Sequence, residues 1–194
     1  ADHFGWRSGF WTLGLAGVAF GVIFQPLLSD APKAPNLPPR DRPRTGEIVG
    51  YLARTPCYYV LLAKAGLVGI ATWIFLSWLP LYFSENYALS LAAAGFMGTV
   101  MLQGTSVFGT MLGGWVSDRA AVRDVRRRLL IHAHGYLAAA PFLVLFLTGP
   151  SLAVAVAAVA MFSLLRGLGG ANEQPILCDV IPSRYRSSAV GLGN

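Results

Sequence analysis

Long apolar runs alternate with short polar breaks along the chain, and the length of the runs sets the first expectation. Gly9 to Leu28 carries no charged residue, Tyr58 to Phe83 carries only Lys64, and Ala88 to Val116 carries none. From Leu129 to Leu165 there is no Asp, Glu, Lys or Arg, but Thr148-Gly149-Pro150 supplies the residues of a tight reversal inside that run. A helix rises about 1.5 Å per residue and the hydrocarbon core of a bilayer is about 30 Å thick, so about 20 apolar residues cross it. The pattern predicts a first span near 9–28, then spans at about 57–83, 88–116, 129–148 and 151–178, with another starting at about 187. Backbone amides in lipid must be bonded within their own segment, and barrel strands would be shorter and alternating. The expected fold class is therefore all-α, a polytopic transmembrane helix bundle of five spans plus the start of a sixth.

Composition agrees with that solvent. Hydrophobic residues make up 55% and charged residues 12%, with a mean hydropathy of +0.55, which excludes an ordinary water-soluble domain. A net charge of +6 could suggest nucleic acid, yet the cations sit in clusters between apolar runs and not along a polar face. The expected partners are the lipid bilayer and a small-molecule substrate, and no nucleic acid. Alternating the spans puts 29–57, 117–128 and 179–188 on one side, with Lys33, Arg40, Arg42, Arg44, Arg54, Arg119, Arg123, Arg126, Arg127, Arg128, Arg184 and Arg186, against Arg7 on the other. The positive-inside rule makes the first side cytoplasmic and the protein a multi-pass resident of the cell membrane. Trp6, Trp11, Trp78, Tyr82, Phe83 and Trp115 fall at span ends, where amphipathic rings favour the interface.

The stretch from Asp30 to Arg44 holds Pro32, Pro35, Pro38, Pro39 and Pro43 among charges and reads as an extended linker. Beyond it, Ile48, Tyr51 and Leu52 have the spacing either of a short amphipathic helix lying on the membrane or of a lead-in to the next span. Cys57 and Cys178 lie far apart at segment ends and predict neither a disulfide framework nor a metal site. The chain opens with Ala1 and stops at Asn194 as a new apolar stretch begins, so it is expected to be a fragment.

Several motifs follow this topology in order. Gly5-Trp6-Arg7 with Phe10 and Gly14 precedes the Pro- and Arg-rich linker; Trp78-Leu79-Pro80-Leu81-Tyr82 closes the second span. Gly113-Gly114-Trp115-Val116-Ser117-Asp118-Arg119 closes the third, and a stretch from Asp179 through Pro182, Arg184, Arg186 and Ala189 to Gly191 leads into the last. Together they resemble the major facilitator superfamily, from its sixth helix to the start of its eleventh. The resemblance implies residues 1–29 as the last helix of an N-terminal half, 30–56 as the cytoplasmic central loop and 57–194 as a partial C-terminal half, with the missing N-terminal half of the same polypeptide as partner. It also implies that Asp118 and Arg119 belong to a gating loop. That loop departs from the family pattern, because Ala120 to Val125 separates Asp118-Arg119 from Arg126-Arg127-Arg128.

Candidate chemistry is sparse. Arg166 falls near the middle of its predicted span, about 15 Å from either surface, farther than its side chain reaches. It is either an anion-binding guanidinium or half of a structural ion pair. Glu173, seven residues on and on the same face, is that partner, a proton-coupling carboxylate, or a solvated acid near the interface. The Gly167-Leu168-Gly169-Gly170-Ala171-Asn172 stretch beside Pro175 should loosen the helix there, which makes Asn172 a substrate-site candidate. Gln103 and Trp73, both mid-span, are candidate substrate contacts, with an interhelical bond and a lipid-facing ring as the alternatives. Lys64 is a minor site candidate able to snorkel. Thr105, Gly109 and Gly113 recur every four residues and read as a packing face.

His132 and His134 point to different faces of a helix, which argues against chelation. No phosphate-binding Gly-Lys-Ser/Thr loop and no catalytic Ser, Cys or His arrangement occurs, so neither a cofactor nor enzyme activity is expected. The function expected is secondary transport of a small solute, an organic anion, by alternating access with protons as a candidate coupling ion. A non-transporting sensor or scaffold of the same fold is the alternative, and a polytopic membrane enzyme the more distant one.

Overall fold

The computed structural model describes residues 5–27 and 43–193 and divides into two compact units, Ala1–Arg42 and Pro43–Asn194. Most of the expected Pro- and Arg-rich linker lies outside the described residues. All regular structure among the described residues is helical, and five segments are long and apolar enough to cross a membrane: Arg7–Phe24, Pro56–Tyr87, Leu91–Ala121, Arg126–Thr148 and Leu152–Val180. Large side chains such as Phe96, Phe108, Leu137 and Leu147 stay exposed on these segments, a surface that lipid tails solvate and water does not.

In the first unit, helix α1 (Gly5–Phe24) has Arg7 as its one charged residue. The second unit begins with α2 (Thr45–Ala53) and the long α3 (Pro56–Tyr87). Next come α4 (Leu91–Thr99) and α5 (Thr105–Ala121), fused through a π-helical turn at Val100–Gly104. They are followed by α6 (Arg126–Thr148), α7 (Leu152–Gly170), α8 (Glu173–Val180) and α9 (Arg186–Gly193). Local chemistry sets the ends. Pro56 occupies the first turn of α3, where its missing N–H costs nothing, and Ala88 ends that helix in the left-handed region at φ 53°. Ser90 and Ser151 cap α4 and α7 by accepting from the amides of Ala93 and Val154. The Asp124 carboxylate accepts from the Arg126 amide at 2.9 Å and so starts α6.

The helices outrun the expected spans. The third runs to Ala121, not Val116, so Asp118 and Arg119 lie within its final turns, not in a loop. A cation favours a helix C-terminus, and the Arg119 guanidinium also lies 3.8 Å from the centroid of the Trp115 ring one turn back. Likewise α6 begins at Arg126, so the arginine triplet is helical. The expected 151–178 helix is broken at Ala171–Asn172 into α7 and α8, with Pro175 in the first turn of α8, where it is tolerated. The Ile48, Tyr51 and Leu52 face of α2 packs on Ile181 and Ala189, with Tyr51 stacked 4.7 Å from Tyr185. Protein, not lipid, covers that face.

Packing among α5, α6 and α7 depends on residues without side chains. A Cβ on Gly109 or Gly113 would overlap the backbone of Leu164 or Leu168, and one on Gly135 would lie 2.6 Å from the Gly169 amide nitrogen. Close backbone approach of this kind takes the place of the hydrophobic effect, which lipid does not supply between helices. At the opposite end from the arginines, Leu79, Phe83, Ala94, Leu102, Phe146 and Val159 form a buried core that fixes α3 and α4 against α6 and α7.

Candidate functional site

Arg166 projects from α7 at the level where Gly167 lets α5 come close: a Cβ on Gly167 would sit 2.5 Å from the Ser106 carbonyl oxygen. That approach brings the Ser106 hydroxyl to 3.5 Å from an Arg166 terminal nitrogen, the guanidinium's one side-chain hydrogen bond among the described residues. Its Nε is buried with no acceptor, and no carboxylate is paired with it among the described residues. The guanidinium lines an open cleft of about 310 Å³ together with Thr72, Trp73, Ser106, Tyr136 and Glu173. Beyond Val68, Thr72, Tyr136 and Arg166 the cleft adjoins a more apolar space lined by Phe75, Leu143 and Phe162.

One helical break away lies an occupied ion pair. Lys64 of α3 turns inward and pairs with Glu173, the first residue of α8, and both engage the Tyr136 hydroxyl of α6. Tyr136 donates to the Glu173 carboxylate at 3.0 Å, and the Lys64 ammonium lies 4.3 Å from the centroid of the Tyr136 ring. Glu173 sits at a helix N-terminus, where the dipole favours a negative charge. It lines both the Arg166 cleft and the recess that holds Lys64 and His132. His132 is buried with Nδ1 at 2.8 Å from the Gly169 carbonyl; a carbonyl only accepts, so Nδ1 carries the proton. Asn172 is 1% exposed, and its amide donates to the Leu168 carbonyl, which ties the break together.

At the arginine-bearing end, Arg128 of α6 bridges two carboxylates, donating to Asp179 at 2.9 Å and to Asp118 at 3.2 Å. The bridge joins α5, α6 and α8.

The sequence profile of the Major Facilitator Superfamily matches residues 1–194, the whole chain. The chain belongs to the major facilitator superfamily. A rice protein (Oryza sativa subsp. japonica) described as "Probable anion transporter 4, chloroplastic" is 25% identical over 212 residues, covering 100% of this chain and 35% of that protein. The crystal structure of a bacterial homologue of the human lysosomal transporter Spinster, inward-facing and unoccupied, matches with a TM-score of 0.73 at 19% identity. That match covers 97% of this chain and 40% of the other, so the likeness is one of fold. The chain spans well under half the length of either relative.

Within this superfamily fold the expected site residues separate. Arg166, Trp73 and Glu173 share one cleft. Lys64 adjoins it through Glu173 and is the partner that Glu173 takes in place of Arg166. Gln103 lies exposed within the π-helical turn and away from the cleft lining, while Asn172 is engaged with backbone. Asp118 pairs with Arg128, and Arg119 stacks on Trp115. Tyr136, Ser106 and the Arg128–Asp179 contact were not legible in the sequence. The one available signal for Tyr136 was its place four residues after His132, a polar pair on one face of an otherwise apolar helix.

Proposed function

We propose that this chain is part of a secondary active transporter that moves a small organic anion across a cell membrane by alternating access, with protons as the coupling ion. The observation that carries the reading is Arg166, a guanidinium within the bundle with a buried, unpartnered Nε and no paired carboxylate among the described residues. A cation at membrane depth needs a counter-charge, and an incoming anion is one that can arrive and leave. The guanidinium fork suits carboxylate, sulfonate or phosphate groups, and the description of the rice relative as an anion transporter supports the same class. Ser106 and Trp73 flank the same opening and would position the ligand.

In this reading residues 1–29 end one half of the transporter, 30–56 form the central cytoplasmic loop, and 57–194 contribute most of the other half. The remaining helices of the polypeptide complete the cavity. The arginine-rich turns face the cytoplasm, where Arg119 and the Asp118–Arg128–Asp179 bridge hold one access state. Glu173 is the proton-coupling group, because protonation would release it from Lys64. The test is uptake of labelled organic anions into liposomes bearing the full-length protein. Arg166→Gln should lower uptake and affinity by about 10- to 100-fold, the range of a lost charged hydrogen bond, with Arg166→Lys retaining part. Unchanged uptake and affinity in Arg166→Gln would refute the assignment.

A further inference from the structure

The charged groups around the cleft do not balance. Arg166 and Lys64 are two cations, and Glu173, which lines both the cleft and the neighbouring recess, is the one carboxylate among the described residues there. The Tyr136 hydroxyl of α6 donates to Glu173, and the other titratable groups lining the same recess are Tyr58 on α3 and His132 on α6; α8 itself adds Gln174, and α9 adds the apolar Val190. Arg166, Lys64 and Glu173 together carry one net positive charge. Inside a bundle surrounded by lipid, a net charge is far more costly than in water, so occupied states close to neutrality are favoured.

We infer that the number of charges on the substrate decides whether a proton enters with it: a divalent anion binds together with one proton on Glu173, and a monovalent anion binds with none. The inference rests on the anion-site reading above. A monovalent anion on Arg166 brings the cluster to neutrality while the Lys64–Glu173 pair stays closed. A divalent anion would leave one excess negative charge. Taking a proton from bulk water onto the Glu173 carboxylate removes that excess and breaks the ion pair. Lys64, freed from Glu173, then meets the second anionic group, and the Tyr136 hydroxyl remains in reach of both. The break at Ala171–Asn172 lies immediately before Glu173, so the carboxylate sits at the start of its own short helix. The substrate class this favours is a short organic dianion, such as a dicarboxylate, moved with a proton.

The experiment uses the full-length protein in micelles and a panel of alkyl mono- and disulfonates, whose own charges do not change with pH. Proton uptake on binding is measured by calorimetry in buffers of different ionisation enthalpy. The expected result is uptake of about one proton for disulfonates and about none for monosulfonates, with disulfonate affinity falling up to tenfold per pH unit on the alkaline side. Glu173→Gln should bind disulfonates without proton uptake, whereas His132→Asn should keep it. Equal proton uptake for the two classes, or uptake that survives Glu173→Gln, overturns the inference and leaves the Arg166 site standing. If no sulfonate binds wild type more tightly than Arg166→Gln, the anion site itself is refuted and the inference with it.

Discussion

Gly113 and Gly114 are neighbours in sequence with opposite surroundings, which makes the pair a sharp test of what holds α5 to α7. A methyl group on Gly113 would lie 2.7 Å from the Leu168 Cα and 2.8 Å from its carbonyl carbon, with the Leu168 carbonyl oxygen nearer still. Ordinary carbon contacts are about 3.5–4.0 Å, so α5 and α7 would have to part by about 1 Å along this seam, because both obstacles are backbone. Such overpacking costs about 1–3 kcal/mol. A methyl group on Gly114, about 100° further round the helix, meets nothing within 4 Å. Gly114→Ala should therefore be neutral, or stabilising by up to about 1 kcal/mol through helix propensity. The assay is reversible unfolding in mixed micelles by titrated denaturing detergent. Gly113→Ala should unfold earlier by about 1–3 kcal/mol, and adding Gly109→Ala should cost less than its effect alone, since the seam is already open. Equal midpoints for Gly113→Ala and Gly114→Ala, within about 0.5 kcal/mol, would show that close backbone approach is not what joins these helices.

Two further expectations concern the arginine-bearing end. Arg128→Gln leaves Asp118 and Asp179 without their cation and should lower thermal stability in micelles by about 1–2 kcal/mol, whereas Asp118→Asn, at a carboxylate 76% exposed, should cost under about 0.5 kcal/mol. The Tyr185 hydroxyl donates to Glu47 at 2.7 Å, and this bond raises the phenol above its usual 10.0. A group raised on folding stabilises the fold below its unfolded value and loses that contribution as pH climbs through the folded one. The α2 contact should thus hold at neutral pH and loosen in alkali, and in Glu47→Gln one tyrosine should ionise at lower pH by tyrosinate absorbance.

The spans were legible because a solvent that cannot bond to backbone leaves a long apolar run one structure to adopt. Their ends were less so: Asp118, Arg119 and Arg126 are poor residues for hydrocarbon but acceptable in helix, and periodicity does not say where lipid stops. Arg166 stood out as a lone cation far from either surface. Lys64 and Glu173 stood out singly, but their meeting with Tyr136 did not, because it spans separations of 72 and 109 residues. That meeting depends on how closely α6 and α7 approach, which Gly135 and Gly169 control. Lys64 is half-buried, and the carboxylate it turns to is 109 residues away in the chain. Gln103 drew notice only by its place mid-span, and periodicity gave no sign of the irregular turn that holds it.

That irregular turn has a mechanical meaning. Between Thr99 and Thr105 the helix absorbs an additional residue, and the carbonyls of Met101 and Leu102 accept hydroxyl hydrogens from Thr105 and Ser163. One rod thereby carries two independent phases: above the joint Gly98 fits Leu79 of α3, and below it Gly109 and Gly113 fit α7. Under any tilt of α3 against α7, the wider turn is where the torque can be absorbed, and neither contact surface has to slip.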